Sequence, residues 1–198
     1  MSLQLRIGLI ACACIAACSQ VESPTENAAA AESGWITLFD GSNLNGWTPV
    51  GDANWQLADG TVRADAGNGF LVTNGFYTDF DLEFEFWVTA DANSGAFIRC
   101  ANPTEIGAAT CYEVNIFDQR PDPKYRTGAI VDVAEPKVKI DTGGRWNSYA
   151  ISARGQRLVI TLNGQQTVDV QDSKLPSGPI ALQRGAGTVM FRNVRIRE

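Results

Sequence analysis

Asp79-Phe80-Asp81-Leu82-Glu83-Phe84-Glu85-Phe86-Trp87-Val88 sets apolar and acidic residues in near-perfect alternation. Side chains of a strand point alternately to the two faces of its sheet, so Phe80, Leu82, Phe84, Phe86 and Val88 share one face. Asp81, Glu83 and Glu85 share the other. The pattern predicts an antiparallel strand buried on one side only. Trp87 interrupts the acidic face, which makes it a candidate stacking platform for a ligand.

Working outward, turn signals recur at short intervals. Asp59-Gly60 lies between Trp55-Gln56-Leu57 and Thr61-Val62-Arg63, and Asn163-Gly164 between the apolar alternations of 158 to 162 and 167 to 170. Both read as tight hairpins. Further strands are expected over 69–73, 96–100, 112–117, 147–153, 180–183 and 188–196. In the last, apolar parity changes between Phe191 and Val194, which predicts a bulge at Arg192-Asn193. No segment after residue 34 keeps a helical period for three turns, and no repeat of propeller-blade length occurs. The expectation is an all-β fold, a two-sheet antiparallel jelly-roll sandwich. The stretches 102 to 110 and 119 to 129, rich in Pro, Gly and Thr, read as long loops of the kind that carry function.

The 198 residues hold 16 basic and 22 acidic side chains, a formal charge of −6, and no His. No Lys/Arg block is present to neutralise a row of phosphates, so nucleic-acid partners are not expected. Without His, the commonest neutral-pH acid/base and the commonest zinc or copper ligand are missing. Catalysis must then rest on carboxylates, Lys, Tyr, Arg or amides.

Residues 1–17 read as a signal segment, with Arg6 ahead of a short apolar run that is too short to span a bilayer. Ile15-Ala16-Ala17-Cys18 resembles a bacterial lipobox, which implies acylation of Cys18 and cleavage before it; an ordinary secretory signal is the alternative. Ser19 after the Cys implies the outer membrane, facing the periplasm, with the lipid as the sole membrane contact. Residues 18–33, poor in aromatic and β-branched residues, read as a flexible tether, and 34–198 as the folded domain. With Cys12 and Cys14 removed and Cys18 acylated, Cys100 and Cys111 remain as a pair in an oxidising compartment. A disulfide is the first reading and two buried thiols the second.

The series Gly34-Trp35-Ile36-Thr37-Leu38-Phe39-Asp40-Gly41 and Leu44-Asn45-Gly46-Trp47 resembles the opening of the 3-keto-disaccharide hydrolase domain family. The resemblance continues through Asp79 to Phe86, Asn93-Ser94-Gly95-Ala96-Phe97-Ile98-Arg99 and Tyr112-Glu113-Val114-Asn115. It goes on with Thr127-Gly128-Ala129-Ile130, Trp146-Asn147, Leu162-Asn163-Gly164 and Ala181-Leu182-Gln183, and ends with Phe191-Arg192-Asn193-Val194-Arg195-Ile196. It implies a sandwich of the concanavalin A-like lectin/glucanase type, a carbohydrate substrate oxidised at carbon 3, and an oxidoreductase that supplies that keto-sugar. Two departures stand out. Arg184-Gly185-Ala186-Gly187 replaces the family's Asp-His-Gly-like stretch, and Val131 replaces a Tyr after Gly-Ala-Ile.

A ketone at carbon 3 acidifies the proton on carbon 2, so such chemistry needs one base and a stabiliser for the enolate oxygen rather than two carboxylates at fixed separation. Glu113 is the candidate base, sharing a strand face with Asn115, a candidate hydroxyl ligand; a solvated outer face is the alternative. Arg99 falls in the alternation class of Gly95 and Phe97, and is either an enolate stabiliser beside Glu113 or half of a structural ion pair. Asp118 is a candidate ligand for sugar hydroxyls or a cation, against a loop cap. Gln183 is a candidate hydroxyl ligand, against a buried amide. Trp35 and Trp47 read as core residues. No cofactor or metal is predicted; the acids at 79, 81, 83 and 85 leave a divalent cation open but unsupported. A non-catalytic carbohydrate-binding lipoprotein is the competing function.

Overall fold

The structure is a computed structural model that describes Met1, Ser2 and residues 34–198. Cys18, the tether and the signal segment from residue 3 onward lie outside the described residues. Among these residues, thirteen strands form two antiparallel sheets, with one 3-10 turn at Pro123–Tyr125. The larger sheet runs in the order β11 (Gln165–Gln171), β10 (Arg157–Leu162), β9 (Trp146–Arg154), β6 (Phe80–Val88), β13 (Val189–Arg197), β4 (Thr61–Ala64), β3 (Gln56–Ala58). Strand β1 (Ile36–Phe39) also pairs with β13. The smaller sheet runs β2 (Trp47–Gly51), β5 (Gly69–Thr73), β12 (Ala181–Ala186), β7 (Asn93–Ile98), β8 (Tyr112–Ile116). The all-β sandwich is as the alternation implied.

The core lies between the sheets. Phe80, Leu82, Phe84, Phe86 and Val88 of β6 face Ala96 and Ile98 of β7 and Tyr112, Val114 and Ile116 of β8, all buried. Tyr149 stacks on Phe86 with ring centroids 5.1 Å apart. Both two-residue hairpins occur: Asp59 (φ 50°) with Gly60 (φ 72°), and Asn163 (φ 50°) with Gly164 (φ 77°). Two positive φ values in succession match the twist of the flanking strands, which explains Gly in second place. The bulge in β13 lies between Arg192 and Arg195, with Asn193 at φ 52°. Trp47 belongs to the core, whereas Trp35 lies half-buried beneath the guanidinium groups of Arg195 and Arg197. Cation–π attraction to those arginines, which are anchored on the outer acidic face, holds it outside the core.

A second apolar cluster covers part of the outward face of the smaller sheet. It joins Val72, Phe97, Ala181, Cys100 and Cys111, with Phe70 and Ile106 packed against it. Phe70 meets Phe97 edge-on at 5.3 Å. The disulfide Cys100–Cys111, eleven residues apart, closes the loop that brings Ile106 onto this cluster. Closing a loop of that size removes chain entropy equivalent to about 3 kcal/mol. A Cys100→Ser/Cys111→Ser variant should therefore lose about that much stability in urea unfolding; a loss under about 0.5 kcal/mol would show that the bond does not constrain the chain.

Candidate functional site

The outward face of the smaller sheet carries the sequence-predicted carboxylate. In β8, Tyr112, Val114 and Ile116 enter the core, so Glu113 and Asn115 point away from it. Across the sheet, Asn115 pairs with Gly95 and Gly95 with Gln183, while Glu113 pairs with Phe97. Glu113, Asn115 and Gln183 thus share one face. Gly95 keeps its middle open: a Cβ there would lie 3.1 Å from the Val114 carbonyl oxygen, 3.3 Å from the Phe97 ring and 3.7 Å from Glu113 Cγ.

The chain after β8 walls this face. Val131 N–H donates to the Glu113 carbonyl at 3.0 Å, Asn115 N–H to Ala129 at 3.0 Å, and Gly128 N–H to Asn115 at 3.1 Å. The Asn115 amide donates to the Tyr125 carbonyl and accepts from Ile116 N–H. It is a clasp on the loop, buried and fully engaged, and not an open hydroxyl ligand. Tyr125 in turn donates its hydroxyl to Asp132 at 2.8 Å. Arg120 sits over two rings, its guanidinium carbon 5.5 Å from the Phe117 centroid and 5.6 Å from that of Tyr125.

Glu113 is half-buried, and burial pushes its carboxyl up to about 7 against the positive charge of Arg120, with the negative charge of Asp132 adding to the rise. A carboxylate that exchanges its proton near neutrality is suited to general base work without His. The same shift has a cost in stability. Below about pH 4 the group is neutral in both folded and unfolded chains; as pH rises past its ordinary value of 4.5 the unfolded chain ionises first. The fold therefore weakens until about pH 7 and not beyond. Glu113→Gln should match the parent near pH 4 and exceed it by roughly 2–3 kcal/mol at pH 8. Equal stabilities at pH 8 would contradict the burial of this carboxyl.

Other expected site residues lie elsewhere. Arg99 does not join Glu113. It stands just past the end of β7 at φ 50°, which breaks the alternation. Its guanidinium, 1% exposed, donates to the carbonyls of Thr78 and Gly155 at 2.8 Å each and to Asp79 at 3.1 Å. Asp118 is a loop cap: it accepts from the hydroxyls of Thr127 (2.5 Å) and Thr142 (3.0 Å) and from N–H of Thr142 (2.5 Å) and Gly143 (2.9 Å). Trp87 faces outward, but on the larger sheet, opposite Trp146 and Met190. Gln183 keeps an unpartnered buried oxygen, Oε1, an acceptor of the kind a sugar hydroxyl satisfies. Arg184 directs its guanidinium to the carbonyls of Gly187, Gly67 and Asp65. The sequence offered no sign of Arg120, Tyr125 or Asp132, because they belong to a loop with no period to read.

No group of three or more His, Cys, Asp or Glu side chains is gathered for a metal ion among the described residues. The outward acids of β6 meet arginines instead: Glu85 with Arg192 at 2.6 Å, Glu83 with Arg195 at 2.8 Å, and Asp81 with Arg154 and Arg197 at 2.9 Å each.

The sequence profile of the 3-keto-alpha-glucoside-1,2-lyase-like domain matches residues 34–197, the whole sandwich. The chain belongs to that family. A 3-keto-disaccharide hydrolase of Bacteroides thetaiotaomicron is 32% identical over a 77-residue alignment that takes in 32% of this chain and 27% of that protein. The match thus reaches about a quarter of the relative's length. Among solved structures, a Parabacteroides distasonis protein assigned as a glycosyl hydrolase superposes with a TM-score of 0.75 at 21% identity, covering 89% of this chain and 97% of its own. The carbohydrate binding module CBM66 of Bacillus subtilis superposes with a TM-score of 0.63 at 21% identity, over 77% of this chain and 96% of that module. At these identities both likenesses show the fold alone, a jelly-roll sandwich of this kind.

Proposed function

We propose that this protein cleaves 3-keto-glycosides by removing the proton on carbon 2. The observation that carries the reading is Glu113, a half-buried carboxylate poised at about 7 on a rigid strand, within a domain of the lyase-like family. The Glu113 carboxylate takes the carbon 2 proton, and the C–H electron pair becomes the enolate of the carbon 3 ketone. Collapse of the enolate restores the ketone, forms a double bond between carbons 1 and 2, and expels the glycosidic oxygen, which takes up a proton. Water adding its oxygen to carbon 1 and its proton to carbon 2 completes hydrolysis; release before that step is a lyase outcome.

Arg120, not Arg99, is the cation that acts on Glu113, and it has no carboxylate partner within ion-pair distance among the described residues. In this reading it steadies the enolate oxygen. Arg120→Gln should lower turnover and move the kinetic pKa of the base above 7, while Arg120→Lys retains much of both. An unchanged pH profile in a folded Arg120→Gln protein would remove Arg120 from the site.

Incubation of the full chain with a 3-keto-disaccharide, followed by chromatography of the products, tests the activity. Release of a free monosaccharide supports it. Saturable binding without turnover supports the second reading, a carbohydrate binder, which the absence of His and the engaged guanidinium of Arg184 favour. The same proposal places the protein in the bacterial envelope, anchored in the outer membrane by acylated Cys18 and facing the periplasm, beside an oxidoreductase that makes the keto-sugar. Cys18→Ala should then remain unprocessed or become soluble; a wild-type protein found soluble with another N-terminus would contradict the anchor.

A further inference from the structure

Two cavities lie on the sandwich face opposite Glu113. One of about 660 Å³ and one of about 230 Å³ both run over the outward side of the larger sheet, and they share Glu83, Ala150 and Thr161. Together they form one trench. Its floor follows β9, where Trp146, Ser148, Ala150 and Ser152 take alternate outward positions, and Ser148 to Ser152 spans about 14 Å at strand rise. The floor is low because Ser148, Ala150 and Ser152 are small. Thr161 of β10 lies beside Ala150 in the neighbouring strand.

One wall is the row of ion pairs Glu85–Arg192, Glu83–Arg195 and Asp81–Arg197, at 2.6, 2.8 and 2.9 Å. Burial works against the Asp81 carboxylate, but hydrogen bonds from Arg154, Arg197 and Ser152 outweigh it and hold the group at about 2. Glu85 is likewise held low by Asn193 and Arg192 against burial. With Arg154 as the second partner of Asp81, and Asp40 lining the larger cavity, four carboxylates stand against four guanidinium groups, and each pair along the wall is partly exposed and presents carboxylate edges and guanidinium N–H groups. The hydroxyls of Ser148 and Thr161 bond to no protein group among the described residues. Beyond the cavities, at the next outward position after the Glu85 and Ser148 pair, Trp87 and Trp146 stand opposite each other on β6 and β9, with Arg192 placed 3.9 Å over the Trp146 ring.

We infer that this trench is a second binding site, for a stretch of neutral oligosaccharide. Three features fit that class together. A charge-balanced wall gives no net attraction to an anion or a cation, while its alternating donors and acceptors match hydroxyl groups. A floor that sets the unpartnered hydroxyls of Ser148 and Thr161 beside Ala150 and Val159 mixes hydrogen-bonding and apolar contact, which suits a sugar better than a purely apolar peptide. Trp87, the next outward residue of β6 after Glu85, supplies the flat, amphipathic surface that sugar faces pack on, while the Trp146 ring beside it is covered by Arg192. The site would hold a glycan chain on one face while the other face works on a sugar end, and it does not depend on Glu113 being a base.

The test is isothermal titration of the full chain with maltohexaose, cellohexaose and laminarihexaose, and with hexagalacturonate as the acidic counterpart. At least one neutral hexasaccharide should bind more tightly than the acidic one. Ala150→Phe, which fills the trench from an outward position, should weaken that binding at least tenfold, and Trp87→Ala should weaken it at least threefold. Glu113→Gln should leave it within twofold. Should Ala150→Phe not fold, Trp87→Ala carries the test alone. No binding by any neutral hexasaccharide, preference for the acidic one, loss on Glu113→Gln, or indifference of the folded trench variants would each overturn the proposal. None of these results touches the activity assay, so failure here and failure of the proposed activity are separate outcomes.

Discussion

Glu113→Gln is expected to fold, to keep sugar binding, and to lose turnover on 3-keto-glycosides by a factor of at least about 10². The amide keeps the size of the carboxyl and its place in mid-strand, so the outward face is preserved. It cannot accept the carbon 2 proton. Because the parent carboxyl titrates near 7, turnover of the parent should rise with pH through that value and level off, while the residual activity of Glu113→Gln should lack this limb. The stability gain expected for the same variant above pH 7 makes loss of fold a poor explanation for loss of rate. Full activity in the folded variant would move the base elsewhere, to Asp132 as the exposed carboxylate nearest in this loop.

Replacing Arg99 is expected to damage stability more than any other single substitution considered. Its guanidinium is 1% exposed and ties the carbonyls of Thr78, Gly155 and Leu175 and the carboxylate of Asp79 into one knot. Arg99→Ala removes all of these bonds at once, leaves the buried Leu175 carbonyl without this donor and opens a cavity where a fully buried side chain stood, so a loss of about 3–5 kcal/mol is expected in urea unfolding. Arg99→Lys supplies charge without the planar fork and should recover only part of it. A loss under about 1 kcal/mol would contradict the structural role. A fully stable Arg99→Lys protein without activity would return Arg99 to the substrate.

The contrast between Arg99 and Glu113 shows what alternation can and cannot reveal. Parity holds only while the chain stays extended. It holds through Glu113, which lies mid-strand, so the outward direction of that carboxylate was readable from Tyr112-Glu113-Val114. It fails at Arg99, one residue past β7, where a positive φ turns the side chain toward Asp79. Trp87 shows a different limit: alternation says that it points out of its sheet, but not which of two outward faces that is. Asp59-Gly60 and Asn163-Gly164 were legible because the turn conformation is local. Arg120, Tyr125 and Asp132 were not, because what brings them to Glu113 is the Asn115 amide holding the Tyr125 carbonyl ten residues away in sequence.

The same reasoning separates the two uses of carboxylates in this chain. Asp118 is a loop cap that accepts four hydrogen bonds, and Asp81 is held low by Arg154, Arg197 and Ser152 against the effect of burial. The Glu113 carboxyl accepts no hydrogen bond among the described residues; the Phe97 ring and Gly95 lie beside it, and Arg120 and Asp132 act on it through their charges alone. Free exchange of its proton follows from that poverty of partners.

The central claim, that the carbon 2 proton is removed in the reaction, is tested most directly with a 3-keto-disaccharide carrying deuterium at carbon 2. With the full chain in ordinary water, the expected result is slower turnover than with the unlabelled substrate and loss of the deuterium from the product. Equal rates with the deuterium retained at carbon 2 would contradict proton abstraction and with it the role assigned to Glu113.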